Sequence, residues 1–185
     1  MSIFRCRFRC GFASSAAILA AIVLGSSAAI AQSPNLGVPI SPTDIAAWDI
    51  VILPDGTGLP PGSGTATQGA PIYAQKCALC HGVNAEGGIA GALKGGAPLT
   101  NGIDTVKTIA NFWPVPTTLF DYTRRAMPWT APRTLTDHEV YALTAYIFAI
   151  NGIIDEDEEM NAQTLPEVQM PNRDGFILRF PDLTP

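Results

Sequence analysis

The chain has 185 residues, with four Cys, two His, four Met and a formal net charge of −5 from 11 Lys+Arg against 16 Asp+Glu. This length predicts one domain, or one domain with extensions. Lys and Arg are too scarce for a surface that follows nucleic-acid phosphates. Gly and Pro are frequent but not periodic, which excludes a collagen-like chain. The four cysteines leave open a disulfide framework, a metal site or another use.

The first 31 residues have the pattern of a secretory signal. A positive start contains Arg5, Arg7 and Arg9. The apolar run Ala16–Leu24 follows, and Ala29 and Ala31 are small residues at the positions that signal peptidase reads. We therefore expect cleavage after Ala31. An uncleaved membrane anchor is the alternative, but the run is too short to span a bilayer comfortably.

Cleavage would change what the cysteines can do. It removes Cys6 and Cys10, so only Cys77 and Cys80 remain, and it removes three arginines but no acid, so the net charge becomes more negative. Beyond the signal no segment has eighteen consecutive apolar residues. The mature chain is therefore expected to be soluble, to have no membrane segment and to work in an oxidising, exported compartment.

The mature chain divides into three predicted parts. Residues 32–66 are rich in Pro, Gly, Ser and Thr and predict an extended arm, in which an apolar strip at residues 48–53 suggests attachment to something else. Residues 67–152 hold the compact domain. Residues 153–185 begin with the acidic run Asp155–Glu159 and continue as an irregular tail.

Within the compact domain the predicted elements are short helices. They are placed at Pro71–Cys77, with Ile72 and Tyr73 facing inward, and at Asp104–Ala110 and Thr117–Arg125. Gly82–Gly102 is predicted as a loop because glycine is frequent there.

The last helix is the clearest, at Asp137–Asn151. Thr136 and Glu139 fit a capping box, an apolar stripe recurs at helical spacing, and Gly152 follows as a stop. No segment alternates as a strand would, so the predicted fold class is an all-α core.

The chemistry lies in Cys77-Ala78-Leu79-Cys80-His81, a C-x-x-C-H motif that is the attachment signature of a c-type haem. Two thiols at this spacing reach the two vinyl groups of one porphyrin, and the adjoining His81 becomes the proximal iron ligand. A zinc site needs four ligands and lacks a second pair here. A thioredoxin-like C-x-x-C needs a strand before a helix, whereas a Gly-rich loop follows this motif.

The sixth iron ligand has several candidates, and an open site is the alternative. Met127, followed by Pro128 on the approach to the last helix, is the favoured one because a thioether suits ferrous haem. Met160 and Met170 lie in a tail that is expected to lack rigid support. His138 is expected to be an exposed helix residue.

Further contacts follow from general rules. The proximal histidine should donate its other N–H to a carbonyl, and Pro98 is a candidate source of that carbonyl. The haem propionates are expected to meet side chains among Trp113, Tyr122, Arg124 and Arg125. For each of these residues, packing or a solvated surface is the alternative. The acidic run is ordinarily a solvated segment, but it would also attract a basic partner.

The residues around the motif carry a family resemblance. The C-x-x-C-H, the Gly/Pro loop, Met127-Pro128 and the final helix resemble a class I cytochrome c over residues 67–152. The flanking sequences extend the resemblance to the cytochrome c subunits of molybdenum sulfite dehydrogenases and of the sulfane dehydrogenase of the sulfur-oxidation (Sox) pathway. They are Trp48-Asp49-Ile50, Pro54-Asp55-Gly56, residues 59–64, Phe112-Trp113-Pro114, residues 118–122, residues 124–128 and residues 170–176.

The resemblance implies one haem c, His81/Met127 ligation and a periplasmic electron-transfer subunit that is not itself the enzyme. Its implied electron donor is a molybdopterin sulfite-oxidase-like catalytic subunit, and its implied acceptor is a soluble cytochrome c. Some Sox-pathway members carry two haem domains, whereas this chain has one C-x-x-C-H. Sulfite and sulfane sulfur therefore both remain open as substrates of the partner. A haem enzyme, such as a peroxidase or thiosulfate-oxidising cytochrome, and a free electron shuttle are the alternatives.

Overall fold

The computed structural model describes residues 36–99 and 104–177, so the predicted signal and its cleavage site lie outside the described residues. The chain divides into two units, residues 1–45 and 46–185. In the first unit every described residue is exposed. Helix α1, Pro42–Trp48, runs across the division. The Asp44 N–H donates to the Ser41 hydroxyl and the Ser41 N–H donates to the Asp44 carboxylate, which caps this helix. The predicted arm is therefore not extended throughout.

The second unit is built from short helices and two very short strands. Its helices are α2 Ala66–Lys76, α3 Ala78–His81, α4 Thr117–Ala126, α5 Asp137–Ile150 and a 3₁₀ turn at Leu165–Glu167. Strands β1, Ser63–Gly64, and β2, Met160–Asn161, pair antiparallel with Gly64 opposite Met160. The prediction of an all-α core is confirmed, since these two-residue strands are the only regular β-structure in the described part of the chain.

Helix α5 lies at the centre of the unit. Eight of its residues are buried, including Val140, Leu143, Ile147 and Phe148. Its first turn has the predicted capping box, in which the Glu139 N–H donates to the Thr136 hydroxyl and the Glu139 carboxylate accepts from the Thr136 N–H. The predicted helices at Thr117–Arg125 and Asp137–Asn151 are thus confirmed within one residue of their ends.

Helix α2 begins earlier than predicted. It starts at Ala66 rather than Pro71, because Thr65 and Gln68 form a second capping box ahead of it. Pro71 consequently lies inside the helix. The inward orientation predicted for Tyr73 is confirmed, since its side chain is buried and its ring lies 5.1 Å from that of Tyr146.

The helix predicted at Asp104–Ala110 is wrong. The segment forms turns, because side chains bind the backbone groups that a helix would use. The Asn111 carboxamide oxygen accepts from the Thr108 N–H, and its NH₂ group donates to the carbonyls of Ala97 and Val106. The Thr108 hydroxyl donates to the Gly95 carbonyl.

The C-terminal segment has more support than its sequence indicates. Met160, Leu165 and Met170 are at most 1% exposed and belong to the main core cluster, together with Ile52 from the predicted arm. The expectation that Met160 and Met170 lack rigid support is therefore wrong, because apolar residues spaced irregularly along the tail pack on the same helices. The acidic run Asp155–Glu159 that precedes them is exposed throughout.

Between residues 36 and 99 and between 104 and 177, no helix is both long and apolar enough to cross a bilayer.

Candidate haem-binding site

The two cysteines and the histidine of the motif lie on one helical turn. Helix α3 begins directly after Cys77, whose carbonyl accepts from the N–H groups of Cys80 and His81 at 3.1 and 3.0 Å. Both cysteines are free and partly buried. Burial raises the pKa of the Cys77 thiol to about 11, so this thiol is neutral at neutral pH. A single turn therefore presents two thiols and an imidazole together.

The His81 ring is held by a backbone carbonyl. Its Nδ1 lies 2.7 Å from the carbonyl oxygen of Gly91. Because a carbonyl only accepts, Nδ1 carries the proton, and the lone pair of Nε2 is directed away for coordination. The prediction that Pro98 supplies this carbonyl is wrong, because the chain turns back towards His81 seven residues earlier.

The loop that follows His81 is fastened to the motif by backbone bonds. The Gly87 N–H donates to the His81 carbonyl at 2.8 Å, and the Ala90 N–H donates to the Cys80 carbonyl at 2.9 Å. Gly82 starts the loop with a φ of +86°, and a side chain there would overlap the Glu86 carboxylate and the Gly87 carbonyl. Glycine is therefore required at this position. The predicted loop is confirmed over its described part, residues 82–99.

Tyr73 fastens the same loop from helix α2. Its hydroxyl donates to the Gly82 carbonyl at 2.8 Å, and burial raises its pKa to about 12. From the sequence Tyr73 is predicted to face inward, but no role for its hydroxyl is predicted. The residue type could have indicated this role, because a buried tyrosine hydroxyl usually has a hydrogen-bond partner.

The candidate sixth ligands differ in their surroundings. Met127 is half-buried at the end of helix α4, where its N–H donates to the Thr123 carbonyl. Met160 and Met170 are fully packed in the core. His138 is exposed, as predicted, with Nδ1 2.9 Å from the Ser63 carbonyl and 3.2 Å from the Ser63 N–H. It donates to the former in one tautomer and accepts from the latter in the other.

The predicted propionate contacts lie on and beside helix α4. Trp113 is half-buried, and its ring meets that of Tyr122 edge-on with centroids 5.9 Å apart. Arg125 donates from Nε and Nη2 to the Asp121 carboxylate, both at 2.8 Å, and this hydrogen bonding raises the pKa of Arg125. Arg124 donates to Asp137 at the start of α5. Contacts of Trp113, Arg125 and Pro98 with haem stay predictions.

Comparison with known proteins agrees with this geometry. Residues 64–147 match the family described as cytochrome c oxidase, cbb3-type, subunit III. A chain from the crystal structure of the sulfane dehydrogenase SoxCD from Paracoccus pantotrophus is similar, with 38% identity and a TM-score of 0.73. That match covers 82% of this chain and 75% of the other chain. The chain belongs to the c-type cytochromes. A search of curated proteins gave no significant match.

A c-type cytochrome contains covalently bound haem c and transfers electrons. The residues of this cytochrome fit that group. Cys77 and Cys80 have free thiols on one turn, and the Nδ1–H bond to Gly91 leaves the Nε2 of His81 as a nitrogen donor for iron. The helical fold and the cofactor predicted from sequence are thereby confirmed.

Proposed function

We propose that this cytochrome is an exported monohaem electron-transfer subunit, itself without catalytic activity, that serves a molybdenum dehydrogenase acting on a reduced sulfur compound. The observation that carries the electron-transfer part is the hydrogen bond from His81 of the C-x-x-C-H turn to the Gly91 carbonyl in the loop that follows. Haem c at such a site would take up and release one electron at a time, as its iron changes between the ferric and ferrous states. The sulfur part is supported by the 38% identity to a SoxCD chain.

Five residues are proposed to hold the haem. Cys77 and Cys80 attach it as thioethers, and His81 binds iron through Nε2. Met127 fills the sixth position, where a soft sulfur raises the reduction potential relative to a second histidine. With His81 and Met127 as iron ligands no substrate would reach the iron, so catalysis would belong to the partner. Arg125 is the proposed propionate contact, because its guanidinium is a permanent cation and it lies in the last turn of helix α4, two residues before Met127.

The parts outside the haem domain are proposed to dock the molybdopterin-containing partner. The SoxCD match covers 82% of the chain, well beyond the family match at residues 64–147. In the first unit Leu36 and Val38 are each 86% exposed, and these two apolar side chains are the proposed contact with the partner. The exposed run Asp155–Glu159 is proposed to attract the second partner, a soluble cytochrome c acceptor with a basic surface.

Export is proposed from the sequence of the first 31 residues. Cleavage after Ala31 would release the mature chain into the periplasm. In this oxidising compartment Cys77 and Cys80 would not form a disulfide once both were bound to haem as thioethers. N-terminal sequencing of the purified protein tests the cleavage site.

Co-purification tests the proposed complex. The full chain, tagged at its C-terminus, is expressed in its periplasmic setting with the molybdopterin sulfite-oxidase-like protein, and the purified material is assayed for haem and molybdenum. We expect both, and we expect addition of a reduced sulfur compound to reduce the haem. The double variant Leu36→Ser/Val38→Ser should retain haem but lose most of the molybdenum.

The matched control is Val106→Ser, which also removes an exposed apolar side chain but lies in the haem domain. It should retain both haem and molybdenum. If the unaltered, haem-loaded chain never co-purified with molybdenum, the proposed partnership with the molybdopterin protein would be wrong. If the double variant co-purified with as much molybdenum as the unaltered chain, docking through the first unit would be wrong.

A further inference from the structure

The carbonyl of Gly82 is the point at which the loop after His81 is anchored. It accepts from the Tyr73 hydroxyl at 2.8 Å and from the Ala85 N–H at 3.2 Å. The Ala85 bond lies within the loop, whereas the shorter Tyr73 bond comes from helix α2. Tyr73 therefore fixes the start of this loop relative to the helical core.

The same loop reaches the His81 ring at its far end. The carbonyl of Ala85 accepts from the N–H groups of Leu93 and Lys94 at 2.9 and 3.0 Å, two and three residues after Gly91. Gly91 then accepts from the Nδ1–H of His81 at 2.7 Å. Hydrogen bonds at Gly82, Ala85 and Leu93, joined by the main chain of the loop between them and Gly91, thus connect the Tyr73 hydroxyl to the ring of His81.

Tyr73 is itself rigidly placed. Its side chain is 1% exposed, and its ring packs against Tyr146 of helix α5 with centroids 5.1 Å apart. A buried hydroxyl on a fixed ring has a narrow range of positions, so it restrains the carbonyl that it binds. The main chain holds Gly82 through the Ala85 bond to its carbonyl at 3.2 Å and through the bond from its own N–H to the Ala78 carbonyl at 2.9 Å, so Tyr73 supplies the shorter of the two bonds to the Gly82 carbonyl itself.

We infer that Tyr73 is a positioning residue for His81. The Tyr73 hydroxyl keeps the Gly91 carbonyl against the Nδ1 of His81 and so sets the basicity of Nε2, the nitrogen that coordinates iron. This inference rests on the proposed role of His81 as an iron ligand. A hydrogen bond to Nδ1–H makes the other ring nitrogen a stronger donor. A stronger donor stabilises ferric iron relative to ferrous iron, so loosening this bond raises the reduction potential.

The test compares Tyr73→Phe with Tyr141→Phe in the full haem-loaded chain. Tyr141 is a matched control because it is equally buried and donates to a backbone carbonyl, that of Pro60, at 2.9 Å. The reduction potential is measured by optical titration, and the exchange rate of the His81 Nδ1 proton by NMR of the ferrous protein. We expect Tyr73→Phe to raise the potential and to speed exchange roughly tenfold, and Tyr141→Phe to do neither. Incorporation of 4-aminophenylalanine at position 73, which restores a donor, should reverse both effects.

Equal potentials and exchange rates in Tyr73→Phe and the unaltered protein would overturn the inference, as would equal shifts in both variants. Loss of haem from Tyr73→Phe but not from Tyr141→Phe would also overturn the inference, because the Tyr73 hydroxyl would then be needed for folding and haem retention and not for tuning His81. The proposed function fails separately: an unaltered protein without haem, or with His81 not bound to iron, would show that before the variants are compared.

Discussion

Gly69 of helix α2 lies directly against the backbone of Ala142 in helix α5. A methyl group at Gly69 would overlap the Ala142 carbonyl, and both residues are buried. Without a side chain at this point, the helix that carries Tyr73 and leads into Cys77 approaches α5 closely. The crossing thereby determines where the haem motif lies relative to the core.

This crossing predicts that Gly69→Ala destabilises the protein by about 1–3 kcal/mol, although alanine favours helices, because the overlap involves backbone that cannot move aside. The free energy of unfolding from urea titration measures the effect. Ala74→Leu is the control, since Ala74 is exposed on the same helix, and it should change stability by less than about 0.5 kcal/mol. Equal stability of Gly69→Ala and the unaltered protein would show that the helices can separate without cost.

The packing of the tail predicts that Met170→Ala and Met160→Ala each cost about 2–5 kcal/mol of stability, because each leaves a cavity in the core. Gln169→Ala, at the exposed neighbouring position, is the control and should be near neutral. Thermal unfolding of the haem-loaded chain measures all three. Near-neutral methionine variants would mean that the tail does not contribute to the core.

The three candidate methionines, Met127, Met160 and Met170, permit a direct test of the sixth ligand. We expect Met127→Ala to abolish the methionine–iron charge-transfer absorption of the oxidised protein, and Met127→His to lower the reduction potential, because imidazole favours ferric iron more than a thioether does. Met170→Ala should retain the absorption, since Met170 lies in the core. If Met127→Ala retained the absorption band while Met160→Ala or Met170→Ala lost it, the sixth ligand would be a methionine of the C-terminal tail and not Met127.

The ion pair between Lys76 and Glu139 predicts a pH dependence of stability. The Lys76 ammonium lies 2.8 Å from the carboxylate, and this hydrogen bond, together with that from the Thr136 N–H, lowers the pKa of Glu139 from its usual 4.5. A lowered folded-state pKa adds stability above the unfolded-state value, and this stability is lost as the pH falls through the folded-state value.

Glu139→Gln should therefore be less stable than the unaltered protein at pH 7 by up to about 1 kcal/mol, a small value because both side chains are partly solvated. The gap should close as the pH falls below about 4.5. Glutamine retains the capping box, so helix α5 itself is preserved. Glu158→Gln, in the exposed acidic run, is the control. A gap that persists unchanged at pH 3 would exclude the ion pair as its cause.

The sequence by itself determined the features that depend on neighbouring residues. The C-x-x-C-H motif specifies one helical turn with two thiols and an imidazole, and it needs no distant partner to be recognised. The helix at Asp137–Ile150 was equally accessible, because its capping box and apolar stripe are local. The same local rule would have placed the start of α2 at Thr65 and Gln68, where a capping box also stands.

Only the tertiary structure decided which groups meet the motif. The carbonyl on His81 belongs to Gly91 and not to Pro98, and every residue offers the same carbonyl, so composition cannot distinguish them. Tyr73 and Gly82 are nine residues apart and meet because the chain leaves helix α2 at Cys77 and turns into helix α3, whose C-cap is Gly82. The tail entered the core through apolar residues with no periodicity, because long-range packing requires only that apolar surface be buried, whatever its spacing.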